Sequence, residues 1–391
     1  MVILSFESLA SILLVFIGLV WIKRAFWMIQ FRKTHPPLSS LPISKDLSSK
    51  ISVIIPARNE EKNISRCLEN LLNQSYSNYE IIVVDDRSSD KTYDEVNRIQ
   101  KNSNHAIKLV RVEKLPAGWT GKNYAMFTGS KAASGEWLLF TDADTTHRRE
   151  SLSVSLGHAV EKKIDFLTLT PEVESKSFWE KTVQPLATSS LALWFDPNKV
   201  NDPTSQTALA NGQFILIRKE VYEKVGGNES VKNEVVEDVE LAKKVRASGY
   251  LVQFLNGTSL YSTRMYSSLK EIRTGWTRIF TYLFKKNSVL ILHKIFLFFF
   301  FSCLPFFILL TELSLKISGS GSYSRPLLIL SLGVSLWVVL IRFFGNKFLK
   351  SDPWYALLHL LGSLVMIWIL CSCLVRIVFN RPSVWRGDLH R

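Results

Sequence analysis

The chain has 391 residues, of which 47% are hydrophobic, 12% aromatic and 21% charged, and its formal net charge is +14. That length suits two or three folded units, and the composition excludes a disordered or collagen-like chain and a wholly soluble one. The basic excess sits at the ends: residues 281–391 hold twelve Lys/Arg against Glu312, Asp352 and Asp388, residues 1–50 hold six against two, and the middle is left at +1, a distribution that suits anchors facing anionic lipid and argues against nucleic acid as a partner.

Residues 1–22 form an apolar run, and Lys23, Arg24, Arg32 and Lys33 follow it. Positive charge after the run, with no small-residue cleavage site, predicts an N-terminal transmembrane anchor, with residue 23 onward cytoplasmic. Residues 23–50 are expected to be a linker.

From Ile51 the sequence alternates strand and helix signals, which predicts an α/β domain over residues 51–267 with a mostly parallel sheet flanked by helices. Ile51–Pro56 reads as the first strand, and Ile64, Cys67, Leu68, Leu71 and Leu72 give residues 60–74 a helical apolar face. Glu80–Val84 reads as a second buried strand, followed by Asp85 and Asp86. Ser88, Ser89 and Asp90 are placed to cap a helix running to about Asn102. Ile107–Val112, Glu136–Phe140 and Phe166–Thr170 supply three more strands. Ligands of open α/β sheets sit outside the carboxyl ends of strands, so Pro56, Arg58 and Glu60, then Asp85 and Asp86, then Asp142 and Asp144 are the first candidates for chemistry. Each alone also reads as a helix cap or a dipole-favoured acid.

Residues 268–294 mix Trp276, Phe280, Tyr282 and Phe284 with Lys270, Arg273, Arg278, Lys285 and Lys286, which suits interfacial helices. Residues 295–379 hold three segments long enough to cross about 30 Å of hydrocarbon, at 295–315, 327–344 and 354–379. A basic tail, 380–391, closes the chain. One span before and three after would put that tail outside, whereas Arg376, Arg381, Arg386 and Arg391 at the end of the chain favour inside, so one of the last three segments is expected to be re-entrant or interfacial. Of the four cysteines, Cys67, Cys303, Cys371 and Cys373, none has CxxC spacing, so no metal, redox or disulfide framework is implied.

Taken in order, PARNEE, VVDDRSSDKT about thirty residues on, and Asp142-Ala143-Asp144 after a later strand resemble a family 2 glycosyltransferase of the GT-A fold. LPAGWTGK (115–122), NGQFILI (211–217), VGGN (225–228), VVEDVELAKKVRASGY (235–250) and RMYSSLKEIRTGW (264–276) follow in family order. They resemble the membrane-bound branch that includes ceramide glucosyltransferases and hopanoid-associated and carotenoid glycosyltransferases. The resemblance covers residue 51 to the C-terminus.

That resemblance implies a nucleotide-sugar donor, with UDP expected, bound by Pro56, Arg58, Glu60, Asp85, Asp86, Lys122 and Asp142. It implies a divalent metal, Mg²⁺ or Mn²⁺, held by Asp142 and Asp144; the sequence shows no other counter-charge for a diphosphate beside these acids. It implies a general base at Asp238, with Glu237 second, and an acceptor or phosphate side at Trp276, Arg273 and Arg278. Processive members carry Gln, two variable positions, Arg and Trp; here Ile272 and Gly275 stand at the Gln and Arg positions. Ser383–Asp388 resembles a Trp-Lys/Arg-Gly-Arg pattern with Asp388 in place of its second Arg. The expected function is therefore non-processive, inverting transfer of a sugar to a membrane lipid by a multi-pass cell-membrane enzyme with a cytoplasmic catalytic domain. A processive polysaccharide synthase or an inactive GT-A membrane binding module is the alternative, and a dinucleotide oxidoreductase lacks its GxGxxG after the first strand.

Overall fold

The computed structural model describes residues 6–38, 47–103, 105–319 and 323–381, and the backbone of 383–385 and 388–390. The chain opens on helix α1 (Phe6–Thr34) and continues as β1 (Ile51–Ala57), α2 (Ile64–Leu72), β2 (Tyr79–Asp86), α3 (Thr92–Asn102), β3 (Ile107–Val112), α4 (Gly121–Ala132), β4 (Trp137–Phe140), β5 (Thr145–His147), α5 (Ser151–Glu161), β6 (Phe166–Thr170), β7 (Glu172–Val173), α6 (Phe178–Trp194), α7 (Pro197–Asn201), β8 (Ile215–Arg218), α8 (Lys219–Lys224), α9 (Glu237–Ala247), β9 (Val252–Asn256) and β10 (Tyr261–Thr263). Then come α10 (Leu269–Leu283), α11 (Ser288–Phe298), α12 (Leu304–Ile317), α13 (Arg325–Phe348), α14 (His359–Val378) and two short strands, β11 (Ser383–Trp385) and β12 (Asp388–His390). The chain divides into two units, residues 35–174 with 192–265 and 382–391, and residues 1–34 with 175–191 and 266–381. The expected single run of 51–267 is thus interrupted: residues 175–191, most of α6, belong to the helical unit.

The first unit is built on a seven-stranded sheet in the order β3-β2-β1-β4-β8-β6-β9, in which β8 alone runs antiparallel to its neighbours. Period-two alternation explains why the apolar runs become central strands. Val53 and Ile55 of β1 and Ile81 and Val83 of β2 enter a core with Cys67, Leu68, Val96 and Leu156 from α2, α3 and α5. Ile54, Ile82 and Val84 enter the opposite core with Ala125, Met126, Leu241 and Val245 from α4 and α9. The β1–β4 ladder stops at Ile54↔Phe140, two residues before Pro56, which has no N–H to offer. Because β4 and β8 are antiparallel, Phe140 pairs with Ile215. The residues before β8 therefore reach the same sheet edge as the residues after β1, β2 and β4. A small second sheet, β5-β10-β7, holds the segment following the Asp142–Asp144 turn.

In the helical unit, four helices among the described residues are long and apolar enough to cross a membrane: Phe6–Thr34, Ser288–Ile317, Arg325–Phe348 and Pro353–Val378. The first continues twelve residues beyond the expected end at 22, so residues 23–34 of the anticipated linker are helix. The second starts at Ser288, inside the stretch expected to be interfacial. Only α10 there is a separate helix, and it buries Ile272, Gly275, Trp276 and Phe280. Its start is fixed by Ser268, whose hydroxyl accepts from the Glu271 N–H (3.3 Å), while Glu271 accepts from the Ser267 N–H (2.9 Å), a variant of the capping box. Between α11 and α12 the helix widens into a π-turn, Phe299–Cys303. Pro305 explains it, since proline cannot donate to the carbonyl four residues back and its ring crowds that turn. The carbonyl in question, of Phe301, accepts instead from the Trp21 indole N–H at 2.8 Å. The tail's Ser383–Asp388 pattern lies outside the residues whose side chains are described.

At the sheet edge remote from the carboxyl ends of the strands, Glu80, 3% exposed, accepts from Ser52 Oγ (2.8 Å), Ser134 N (2.8 Å) and Ser134 Oγ (2.7 Å) and pairs with Lys108 (2.8 Å). Burial opposes its charge, but these donors outweigh burial and bring its pKa down to about 2. A depressed carboxyl pKa stabilises the fold at every pH above the unfolded value and loses that contribution as pH falls toward the folded one. Glu80→Gln is expected to lower stability by about 2 kcal/mol near neutrality and to flatten the loss of melting temperature between about pH 4.5 and pH 2, checked by thermal unfolding in detergent.

Candidate active site

Two loops at the carboxyl ends of β1 and β2 close on each other. Asn59 and Arg87 both hold a left-handed backbone, with φ of 54° and 55°. Asn59 Oδ1 accepts from Ser89 N (2.9 Å), and Ser88 Oγ accepts from Asn59 N (3.0 Å). Glu60 N donates to Thr92 Oγ1 (2.7 Å), Glu61 N to Asp90 (3.1 Å) and Lys91 N to Glu61 (3.2 Å). The two motifs are thus one reciprocal clamp, and Asn59 and Ser89 serve it instead of capping helices. Asp90 retains a capping role at the start of α3, accepting from Thr92 N at 3.0 Å.

Within the clamp, Asp86 accepts a two-pronged contact from Arg87 (2.8 and 3.2 Å) and has Arg58 at 3.7 Å. Asp85 is fully buried and faces Arg111 at 3.6 Å. Burial raises its pKa, against the opposing effect of Ser88 and Arg111. Glu60, 5% exposed, accepts from Asn63 Nδ2 at 2.8 Å within its own loop.

The turn after β4 is held from below. Thr145 Oγ1 donates to the Asp142 carbonyl (2.7 Å), Thr141 Oγ1 donates to the Gln213 carbonyl (2.8 Å), and His147 Nε2 lies 3.0 and 3.2 Å from the two threonine hydroxyls. Burial lowers the His147 pKa to about 3, so the imidazole is neutral and serves as a strut. Asp142 and Asp144 are left on the rim, both partly exposed.

Lys122 ties this turn to the start of α9. Its ammonium is 2.9 Å from Asp142 Oδ1 and 3.1 Å from Glu237 Oε1. Lys122, expected on the donor side, thus pairs directly with Asp142. It is placed by its neighbours. Thr120 caps α4 by accepting from Asn123 N (3.3 Å), and the buried Asn123 amide donates to the carbonyls of Val231 (2.9 Å) and Glu234 (3.0 Å) and accepts from Asn228 (2.7 Å), the Asn of the VGGN motif. Asp238 Oδ2 accepts from the Gly212 N–H at 2.7 Å and Oδ1 from the Val239 N–H at 2.8 Å. A Cβ on Gly212 would lie 3.0 Å from Lys122 Nζ and 3.3 Å from Asp238 Oδ2, so a larger residue would push the lysine or the carboxylate aside by a few tenths of an ångström. Burial and then the Glu237 charge push the Asp238 pKa up to about 7, against Lys122 and the two N–H donors. Burial works against the Lys122 charge, but Asp142, Glu237 and Asp238 outweigh it and raise its pKa.

Asp142 and Asp144 are two rim carboxylates, and among the described residues no group of three or more His, Cys, Asp or Glu forms a metal cage. That donor set fits Mg²⁺ or Mn²⁺ in the manner of an ion that takes one or two carboxylates and completes its shell with phosphate oxygens and water.

The acceptor-side candidates lie in the helical unit. Trp276 is 2% exposed, donates to Gln184 Oε1 at 2.6 Å and stacks on Phe280, so it is a packed core residue there and not an interfacial anchor. Arg273 lies 4.6 Å over the Trp368 ring, and Arg278 follows on the same helix. At Gly275 a Cβ would come within 2.1 Å of the Tyr266 ring, so no arginine fits there without displacing that tyrosine.

Residues 52–226 match the model of Glycosyl transferase family 2, a stretch that holds the clamp, Lys122 and the Asp142–Asp144 turn and ends before Glu237 and Asp238. The chain is 25% identical over 236 residues to the 4,4'-diaponeurosporenoate glycosyltransferase of Staphylococcus aureus (strain USA300), covering 58% of this chain and 60% of the relative. It is 26% identical over 242 residues to the enzyme of the same name from Staphylococcus haemolyticus (strain JCSC1435), covering 60% and 61%. The matched region thus spans about three fifths of these relatives. A mannosyltransferase from Pyrobaculum calidifontis, solved in complex with GDP-Man and Mn²⁺, shares the GT-A-like fold, with a TM-score of 0.54 at 16% identity over 95% of this chain and 99% of that one.

Gly212, Asn123, His147 and Arg87 were not singled out as site residues from the sequence. Arg87 and Asn123 carried a signal as neighbours of Asp86 and Lys122, and Gly212 as part of the NGQFILI motif. For the clamp, Asn59→Ala removes both an acceptor for Ser89 and the residue type that tolerates positive φ, and is expected to cost about 1–3 kcal/mol. Asn59→Gly, which keeps the backbone freedom, should cost less; thermal unfolding of the two variants checks the order.

Proposed function

We propose that the protein is a membrane-bound, non-processive inverting glycosyltransferase that moves a sugar from a nucleotide diphosphate, UDP, to a hydroxyl or carboxyl of a membrane lipid. The observation that carries this is the convergence of Asp238 with the Asp142–Asp144 turn around Lys122, at the sheet edge where α/β folds bind nucleotides. The names of the carotenoid relatives support a lipid acceptor, and the apolar helices support a multi-pass membrane location. The basic residues after residue 22 support a cytoplasmic catalytic domain. Ile272 and the tightly packed Gly275 speak against the processive alternative.

In this reading the loops carrying Pro56, Arg58, Glu60, Asp85 and Asp86 receive the nucleoside, and Lys122 faces the diphosphate with Asp142. A Mg²⁺ or Mn²⁺ ion held by Asp142 and Asp144 supplies neutralisation of the charge that grows on the departing diphosphate. The acceptor oxygen forms its bond to the anomeric carbon as the bond from that carbon to the diphosphate oxygen breaks, with the electron pair leaving on the diphosphate. Asp238 takes the proton of an acceptor hydroxyl; a carboxylate acceptor arrives ionised. Two backbone N–H donors fix the Asp238 carboxyl in one orientation. Glu237 holds Lys122 and, by its charge, keeps Asp238 basic enough to accept a proton near neutral pH.

The test is incubation of membranes containing the protein with a panel of labelled nucleotide sugars and host lipid extract. Label in the lipid fraction is expected, and no labelled lipid from any donor would sink the reading. Asp238→Asn should lower turnover by about 10²–10⁴-fold with donor affinity retained, and Glu237→Gln should be milder. Since Asp238 is protonated below its raised pKa, transfer to a hydroxyl should rise with pH through about 7 and then level off; a pH–rate profile reads this. Chelation with EDTA should abolish transfer, and full activity in excess EDTA removes the metal.

A further inference from the structure

Three basic side chains converge inside the helical unit without an acidic partner among the described residues. Arg342, on α13, is 6% exposed, and His359, the first residue of α14, is 1% exposed. Arg342 donates through Nη2 to the Thr182 carbonyl at 2.5 Å. Its Nε and Nη1, and both nitrogens of His359, have no hydrogen-bond partner among the described residues. Arg24 of α1 lies 4.8 Å over the Trp21 ring and 5.3 Å over Phe301. Trp21 in turn meets His359 edge-on at 5.9 Å, Phe306 stacks on His359 at 5.7 Å, and both arginines act electrostatically on that imidazole.

Buried charge is ordinarily paired, and a buried polar group without a partner calls for a missing one. In a membrane-spanning helix the cost is greater, and such residues mark binding sites by default. The aromatic faces offset some of the cost at Arg24, but nothing offsets it at the open side of Arg342, whose side chain is enclosed by the unit instead of reaching out to water. Position supports the same conclusion. Arg24 stands ten residues and Arg342 six residues before the ends of their helices, about 15 and 9 Å by helix rise. Both thus stand nearer to the helix ends on the side toward which α1 and α13 run and from which α14 begins than to the opposite ends.

We propose that Arg342, Arg24 and His359 form an anion site that holds the carboxylate or phosphate headgroup of an amphiphilic lipid, its chains lying along the apolar helices. The inference rests on the helices spanning a membrane and not on the transfer reaction.

The full-length protein in neutral alkyl-maltoside micelles, without any donor sugar, is titrated with brominated-chain oleate, phosphatidic acid or phosphatidylcholine, and separately with inorganic phosphate. Quenching of tryptophan emission reads binding, and melting temperature reads stabilisation. An anionic lipid should reach half-saturation at a concentration about tenfold or more below phosphatidylcholine, and Arg342→Gln should remove that preference. Preference for oleate assigns a carboxylate headgroup and preference for phosphatidic acid a phosphate; either upholds the site. Equal half-saturation for all three lipids overturns it, and so does equal protection by inorganic phosphate, which would make it a site for the free ion. Should Arg342→Gln not fold, Arg24→Gln carries the same comparison, and an undiminished preference in that variant overturns the proposal. Because no sugar is transferred in this assay, its failure and that of the proposed transferase activity are read separately.

Discussion

One ammonium among three carboxylates organises the catalytic unit. Asp142 comes from the end of β4, while Glu237 and Asp238 come from the start of α9, nearly a hundred residues later. Left to themselves these acids repel at close range. Lys122, from the first turn of α4, bridges Asp142 and Glu237 and lies near enough to Asp238 to oppose the rise in its pKa. The rest of the architecture serves that bridge: the Thr120 cap and the Asn123–Asn228 bond set the lysine's root, and Gly212 yields the space in which lysine and Asp238 meet. The bridge also explains how one sheet edge holds a lysine charged and an aspartate poised near neutrality.

The loops after β1 and β2 rely on a different device. Two non-glycine residues in left-handed conformation are tolerated because each loop supplies the other's hydrogen-bond partners. Strain of this kind persists where surroundings over-determine it, and here the surroundings are the opposing motif. The stiffness is local: the sheet beneath is an ordinary two-faced packing of β-branched and leucine side chains.

Around Arg24 the helical unit uses proline and aromatic residues. Pro305 breaks the ladder, Trp21 takes the freed carbonyl of Phe301, and the same two rings carry Arg24. A helix defect, an indole and a guanidinium are thereby joined beside His359. The arrangement brings α1, the first helix of the chain, against residues almost three hundred positions later, as their shared core confirms.

Much of this was legible in the residues alone. Short continuous apolar runs rich in β-branched residues, such as ISVIIP and EIIVV, suit buried strands, so the α/β class and the placing of acids after strands follow from run length and composition, and four long apolar stretches follow from hydrocarbon thickness. Helix ends were less legible. The apolar signal of α1 stops at Ile22, whereas hydrogen bonding carries the helix through a charged turn to Thr34, and residues 175–191 carry no local mark of leaving the sheet domain for the helical unit. The sequence by itself determined which groups could ionise and which segments could be buried, because both are properties of single residues and their spacing. Only the tertiary structure decided that Lys122 answers Asp142, that Asn59 and Ser89 clamp instead of cap, that Trp276 packs in a core, and that Arg342 and His359 lie buried with no counter-ion among the described residues. Each of these depends on which atoms from distant stretches of the chain come within about 3–6 Å of one another, and no local pattern records that distance.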